Sequence, residues 1–223
     1  MENRPSGVIL GDLTAKATPN GYTLLLYNNA LWTGPLVQTT AHDPVRNIAP
    51  VTTVAIAPNV LVINQSLPVK TVSDLIMLAR SKPGSLNYTS SGNGSSGHLR
   101  AELFRSMAQV NIVRVSCKGA GQAINDLIAG QVQLMFPAAG AAAQHIRAGR
   151  VRAIAVTRLG PSALAPDLPA LATALAGFES LAIYGLFVPA RTPPPSSSPC
   201  NRKPRSLCIQ PRSRRNSKAR VWK

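Results

Sequence analysis

Eight consecutive residues, Ser90-Ser-Gly-Asn-Gly-Ser-Ser-Gly, hold four serines and three glycines. They are the stretch best equipped to bind an anion. The serine hydroxyls donate hydrogen bonds, and the glycines leave backbone N–H groups open to a ligand. From His98 onward, Leu99, Leu103 and Met107 recur at helical spacing, so the loop feeds a helix. A helix start offers unsatisfied N–H groups and the positive end of the helix dipole. The chemistry implied is capture of a carboxylate or another small anion. A bare strand-to-helix connection capped by Ser95 or Ser96 accounts for one serine, not four. No Gly-Lys-Ser/Thr follows, so the loop is not a P-loop, and its glycines do not match the dinucleotide fingerprint.

Other reactive side chains form no comparable cluster. Cys117, Cys200 and Cys208 lack metal-ligand spacing, and a structural disulfide is not expected. Cys117 reads as a small buried apolar residue. Asp74 and Asp126 fall inside helical patterns and read as solvated or capping groups. No nucleophile–base pair and no metal cluster is visible. The chain is therefore expected to have no catalytic residue, no metal and no cofactor, and is not read as an enzyme.

The elements that must hold the loop follow from periodicity. Lys82-Pro-Gly-Ser-Leu-Asn-Tyr-Thr reads as a turn and a short strand ahead of it. Gly21 to Asn29 reads as a turn and a buried strand ended by Asn28-Asn29. Strands are also predicted over 48–57, 60–64, 112–116, 132–136 and 151–157, with Pro58 interrupting the first two. Helices are predicted over 72–81 (capped by Thr71 or Ser73, with Leu75, Ile76 and Ala79 inward), over 122–129 and over 138–148. Gly130 and Gly149 stop the last two. Strands alternating with short helices imply an α/β fold with a largely parallel sheet, in which ligands sit at the carboxyl ends of strands. Both Ser90–Gly97 and Asn28–Ala30 follow strands.

The net charge of +16 resembles that of a nucleic-acid binder, but it is unevenly spread. Residues 192–223 hold nine Lys/Arg and no acid, which leaves +7 for the other 191 residues. From Thr192-Pro-Pro-Pro-Ser-Ser-Ser-Pro onward there is no hydrophobic period, so 196–223 is predicted to be a disordered basic tail. Met1-Glu-Asn-Arg-Pro has none of the parts of a signal peptide, and no apolar run reaches the roughly 18 residues of a spanning helix. As written, the chain is expected to be cytoplasmic.

Ordered motifs along residues 2–190 carry a resemblance. They include Glu2-Asn-Arg-Pro, Pro19-Asn-Gly-Tyr-Thr-Leu-Leu, Asp43-Pro-Val-Arg-Asn-Ile-Ala-Pro-Val and Leu67-Pro-Val-Lys-Thr-Val-Ser-Asp-Leu. Lys82-Pro-Gly-Ser-Leu-Asn-Tyr, Ser90-Ser-Gly-Asn-Gly-Ser, Lys118-Gly-Ala-Gly-Gln-Ala-Ile-Asn-Asp-Leu and Gly130-Gln-Val-Gln-Leu-Met-Phe follow. Ala148-Gly-Arg-Val-Arg-Ala-Ile-Ala-Val-Thr and Gly185-Leu-Phe-Val-Pro-Ala-Arg-Thr-Pro complete them. In order and spacing the chain resembles the Bug-type extracytoplasmic solute-binding receptors of tripartite tricarboxylate transporters.

The resemblance implies a periplasmic binding protein type II fold of two lobes, the first from 1–57 and 184–195 and the second from 58–183. It implies a small carboxylate ligand, membrane transporter subunits as partners and a periplasmic setting; a monomer is also expected, and the uneven charge predicts no specific nucleic-acid partner. The implied ligand-binding residues are Ser90, Ser91, Gly92, Asn93, Gly94, Ser95 and Ser96, with Asn29 and Ala30 at the end of the early strand. His98 matches a family position and is assigned a capping or supporting role.

Several departures shape the expectation. Met1 stands where the family has a leader, a first strand and a Gly-rich loop. The family's His-Val-Pro-Tyr-Lys-Gly stands here as Arg114-Val-Ser-Cys-Lys-Gly. Its later acidic position is lost in Pro169-Ala-Leu-Ala-Thr-Ala, and its aromatic position near the hinge survives as Tyr184. After Arg191 the pattern changes abruptly, as a shifted reading frame would make it; a genuine basic tail is the competing reading. The sequence thus predicts an incomplete first lobe and a degraded receptor copy with weak or absent binding. Its alternative is non-specific nucleic-acid association through the basic segment.

Overall fold

Capping side chains and turn-forming glycines cut the chain into short elements. The computed structural model describes residues 7–193, apart from positions 38, 118, 161, 163 and 164. The Glu2-Asn-Arg-Pro motif, Lys118, Cys200, Cys208 and the basic segment 196–223 lie outside the described residues.

The helices are α1 (Gly7–Lys16), α2 (Ala30–Thr33), α3 (Pro44–Asn47), α4 (Val72–Ser81), α5 (Ser96–Ala108), α6 (Ala120–Ile128) and α7 (Ala139–Arg147). The strands are β1 (Leu25–Asn28), β2 (Ile48–Pro58), β3 (Val60–Asn64), β4 (Asn87–Ser90), β5 (Val113–Ser116), β6 (Leu134–Met135), β7 (Val151–Val156) and β8 (Leu181–Pro189).

The chain divides into two units. One takes the described residues up to Ile56 and again from Ile183, and the other takes Ala57–Ala182. The polypeptide thus leaves the first unit within β2 and returns within β8. In the first unit, β1, β8 and β2 form a three-stranded sheet in that order, with β1 antiparallel to β8. Its small core gathers Leu25, Leu31, Ile48 and Phe187, and Trp32 meets Phe187 edge-on at 4.8 Å. The early strand is shorter and less buried than its sequence predicts. Only Leu25 is buried there; Leu24 and Leu26 are about half exposed. An antiparallel sheet covered on one face alternates in this way.

The second unit has a five-stranded sheet in the order β5-β4-β6-β3-β7. β4 is parallel to β5 and β6, while β3 is antiparallel to β6 and β7. Four strands therefore run one way and β3 alone runs against them. The sheet is mostly parallel and covered on both faces. Leu61 and Ile63 of β3 pack with α4 and α5, whereas Val60 and Val62 pack with α6 and α7. Burial on both faces explains why Val60–Asn64 reads as an unbroken apolar run.

Thr71 caps α4 in a reciprocal capping box with Asp74, and Leu75, Ile76 and Ala79 face inward as their spacing predicts. The stripe predicted for α5 is displaced. Leu103 and Met107 are exposed, and the buried residues are Arg100, Ala101, Phe104 and Ala108. The small Ala101 and Ala108 let the helix approach the sheet, and Phe104 fills the space against Phe136 with ring centroids 5.6 Å apart. Leucine spacing alone does not reveal that the inward face is led by one phenylalanine and two alanines. No helix among the described residues is long and apolar enough to cross a membrane.

Candidate functional site

β4 delivers the Gly/Ser loop to the carboxyl edge of the five-stranded sheet. Ser90 ends the strand, is buried, and donates its hydroxyl to the Gly92 carbonyl at 3.2 Å. Gly92 adopts φ 143° and Gly94 φ 68°. Residues with a Cβ rarely occupy that region, so both glycines are required by the loop's path. Ser95 is the N-cap of α5, its hydroxyl accepting the His98 N–H at 3.2 Å, and its own N–H donates to the Gly92 carbonyl. Ser96 and Gly97 open the helix, and among the described residues their N–H groups take no protein acceptor. Two helical donors are therefore left without a protein acceptor at the positive end of a 13-residue helix.

His98 braces the loop from behind. Its Nδ1 accepts the Gly94 N–H at 3.2 Å, and its Nε2 lies 3.3 Å from Arg114 Nη1. The same Arg114 nitrogen donates to Asn93 Oδ1 at 2.9 Å. Arg114 reaches the loop because β5 lies parallel beside β4, with Arg114 paired to Tyr88 and Ser116 to Ser90. Burial, and then the Arg114 charge, hold the His98 imidazole below its ordinary pKa. Tyr88 donates to Glu102, which is paired with Arg105 at 2.6 Å. Burial and that hydrogen bond push the phenol pKa up.

Two buried polar groups tie the same edge to the core. Cys117, just past β5, is a free, buried thiol that donates to Asp126 Oδ2 at 3.0 Å and lies 2.9 Å from Thr89 Oγ1. Burial, then the bond to Asp126, raise the thiol pKa. Cys117 is thus buried but hydrogen-bonded, and Asp126 is the acceptor of that thiol rather than a merely solvated group. Arg100 donates through Nη1 to the Phe136 carbonyl at 2.9 Å and through Nε to Ser180 Oγ at 3.0 Å. Thr157 and Asn59 both donate to the Ser180 carbonyl. This network joins the first turns of α5 to the segment that enters β8.

Asn29 and Ala30 lie in the other unit, at the start of α2. The Ala30 N–H donates to Asn28 Oδ1 at 2.9 Å, and the Asn29 carbonyl accepts from the backbone of Trp32 and Thr33. The Ala30 donor is therefore already engaged by its own turn. A cavity of about 490 Å³ in that unit is bounded by Ala15, Pro19, Arg46, Asn47, Pro189 and Arg191 and includes none of these predicted residues. No group of three His, Cys, Asp or Glu among the described residues could hold a metal.

Sequence reasoning missed the place of Arg114 beside the loop and the Arg100–Ser180 network. Arg114 had a signal: a long cation inside a β-branched strand that a βαβ reading already places next to β4. Arg100 had none, because its partners lie 36 and 80 residues away.

A sequence profile described as the tripartite tricarboxylate transporter family receptor matches residues 1–198. A UPF0065 protein from the tcbD-tcbE intergenic region of Pseudomonas sp. (strain P51) is 36% identical over 202 residues, or 86% of this chain and 59% of that protein. BugT of Bordetella pertussis is 33% identical over 177 residues, 77% of this chain and 54% of its own length. The chain spans rather more than half the length of these curated relatives. Among solved structures, R. palustris Rpa4515 with adipate shares 34% identity at a TM-score of 0.86, covering 91% of this chain and 69% of that one. MatC (Rpa3494) from Rhodopseudomonas palustris with bound malate shares 26% at 0.83, covering 92% and 71%.

Proposed function

The chain belongs to the tripartite tricarboxylate transporter receptor family, and from that premise we propose that it is a solute-binding receptor whose Gly/Ser loop takes the carboxylate of a small organic acid. Ser90, Ser91, Gly92, Asn93, Gly94, Ser95 and Ser96 form the receiving loop. The observation that carries this reading is the pair of N–H groups on Ser96 and Gly97 that take no protein acceptor, at the positive end of α5. Gly92 and Gly94 support it, since their positive φ values shape the loop away from an ordinary connection. Adipate and malate in the related structures are small carboxylates, the ligand class such a loop suits. Asn29 and Ala30 are proposed as contacts from their own unit, with the Ala30 N–H less available because Asn28 holds it.

Recognition of this kind needs hydrogen bonds and charge and no bond chemistry, so the chain acts as a receptor and not as an enzyme. Its partners are the membrane subunits of a transporter, and its working place is the periplasm. Calorimetric titration of the purified full chain with a panel of mono- and dicarboxylates tests the reading. Micromolar binding, about −8 kcal/mol, is the result expected of an intact site, against the weak or absent binding that the sequence departures predict. No heat and no thermal stabilisation with any carboxylate at millimolar concentration overturns it, and is what a degraded copy would give.

A further inference from the structure

Asparagine followed by glycine occurs twice in the chain, as Asn20-Gly21 and Asn93-Gly94. Such a pair can react with itself. The glycine nitrogen attacks the asparagine side-chain carbonyl to close a five-membered ring, and glycine has no Cβ to obstruct the approach. The reacting groups belong to adjacent residues, so no collision is needed. The closure is held back because the peptide nitrogen keeps its proton and the amide carbonyl is a poor electrophile.

At Asn93-Gly94 the fold meets both obstacles. The Gly94 N–H donates to His98 Nδ1 at 3.2 Å, and Arg114 Nη1 donates to Asn93 Oδ1 at 2.9 Å. A backbone nitrogen and a guanidinium can only donate, so Nδ1 is the acceptor and the Asn93 atom is the carbonyl oxygen. A base within hydrogen-bond reach therefore stands on the nucleophile, and a cation stands on the oxygen that gains charge. Burial and the Arg114 charge hold the His98 pKa below its ordinary value, so the ring is neutral and able to accept a proton at neutral pH. Of the other groups around it, Glu102 acts on the ring in the opposite sense, Arg105 acts with Arg114, and the Tyr88 phenol donates to Glu102. Asn93 is exposed to water. Asn20 is exposed as well, but its Oδ1 accepts the Tyr22 N–H, and no base or cation meets its reacting atoms among the described residues.

We propose that Asn93-Gly94 is a self-modifying site, at which His98 as general base and Arg114 as oxyanion donor convert the Asn93 amide to a carboxylate within the Gly/Ser loop. The Gly94 nitrogen bonds to Asn93 Cγ as its proton passes to His98 Nδ1, and the carbonyl electron pair moves onto Oδ1 against Arg114. The carbonyl then re-forms, the Cγ–Nδ2 bond breaks, and the amine leaves as ammonia with the proton that His98 held. Water opens the ring at either carbonyl and leaves aspartate or isoaspartate. No oxidant, reductant or cofactor enters. The product puts a negative charge in the loop that would receive a carboxylate, so conversion sets that loop against its ligand. This consequence rests on the receptor reading; the reaction does not.

Peptide mass spectrometry of the fresh full chain, incubated at neutral pH in heavy-oxygen water, follows the reaction. Position 93 should exchange amide for acid, with uptake of heavy oxygen, about tenfold or more faster than position 20, a modest effect for a positioned general base. It should also react about tenfold or more faster in the native chain than in urea, where the base and the cation are dispersed. His98→Gln and Arg114→Gln, each checked for native circular dichroism, should slow position 93 toward its rate in urea and leave position 20 unchanged. A native rate at position 93 equal to or below the rate in urea overturns the proposal, and needs no variant to fold. An unchanged rate in both folded variants overturns it as well, by making the two contacts mere braces of the loop. Calorimetric titration with adipate before and after conversion reads the consequence. Weaker binding after conversion supports it, and equal binding overturns it. No binding by the fresh chain overturns the receptor reading and leaves the self-modification standing on its rates.

Discussion

Replacing Gly92 by alanine isolates the conformational requirement of the loop. A Cβ at Gly92 would meet nothing within 4 Å, so no steric clash enters. The cost is the backbone itself, because φ 143° is reserved for glycine; holding alanine there costs about 1–3 kcal/mol. If the loop relaxes instead, it forfeits two hydrogen bonds to the Gly92 carbonyl, from Ser90 Oγ and the Ser95 N–H. At about 0.5–1.5 kcal/mol each, that route costs a similar amount. Gly121 is the matched control. It also has open space around its Cβ position, but it lies in the first turn of α6 without a positive φ. Alanine there should stabilise by about 0.5 kcal/mol or slightly more. Urea unfolding followed by circular dichroism reads both variants within the same unit. The Gly92→Ala midpoint should fall, the Gly121→Ala midpoint should rise, and adipate titration should show weaker binding only for Gly92→Ala. A Gly92→Ala protein at least as stable as Gly121→Ala would refute the reasoning, since both Cβ positions are open and only Gly92 has a positive φ.

Phe104 is fully buried against Phe136, so Phe104→Ala should cost about 3–5 kcal/mol in urea unfolding. His98 titrates below its ordinary value of 6.5 in the folded chain, so the unfolded chain binds the proton more readily. Its contribution is therefore complete above that pH and is lost as pH falls below it; His98→Gln should flatten this part of a stability-against-pH curve. Cys117 is buried with a raised pKa, so iodoacetamide should label it at least about tenfold more slowly in the native protein than in urea, by peptide mass spectrometry. The segment 192–223, with nine basic residues and no acid, should retain the full chain on DNA at low salt and release it steeply as salt rises. A chain ended at Arg191 should not be retained, and equal retention would clear the segment of that role.

Local rules made much of the fold legible. Capping at Thr71, the stops at Gly130 and Gly149, and the apolar run of β3 depend on neighbours within a few positions, and each lies where its pattern predicts. The alternation of strands and helices likewise fixed the α/β class, and the mass of small hydrogen-bonding residues after β4 marked the loop. Less legible was the direction of β3, since periodicity carries no sense of parallel or antiparallel pairing. The inward face of α5 was also misread, because alanine and the stem of a buried arginine contribute no hydrophobic signal while the exposed Leu103 and Met107 do.

What the sequence alone determined is therefore the family, the element pattern and the loop, because these rest on residue types in contiguous runs. What only the tertiary structure decided is which loop donors remain open and which charges face them. Arg114 meets Asn93 and His98 across 21 and 16 residues, and Arg100 meets Ser180 across 80. Hydrogen bonds act over about 3 Å, and folding alone brings groups so far apart along the chain within that reach.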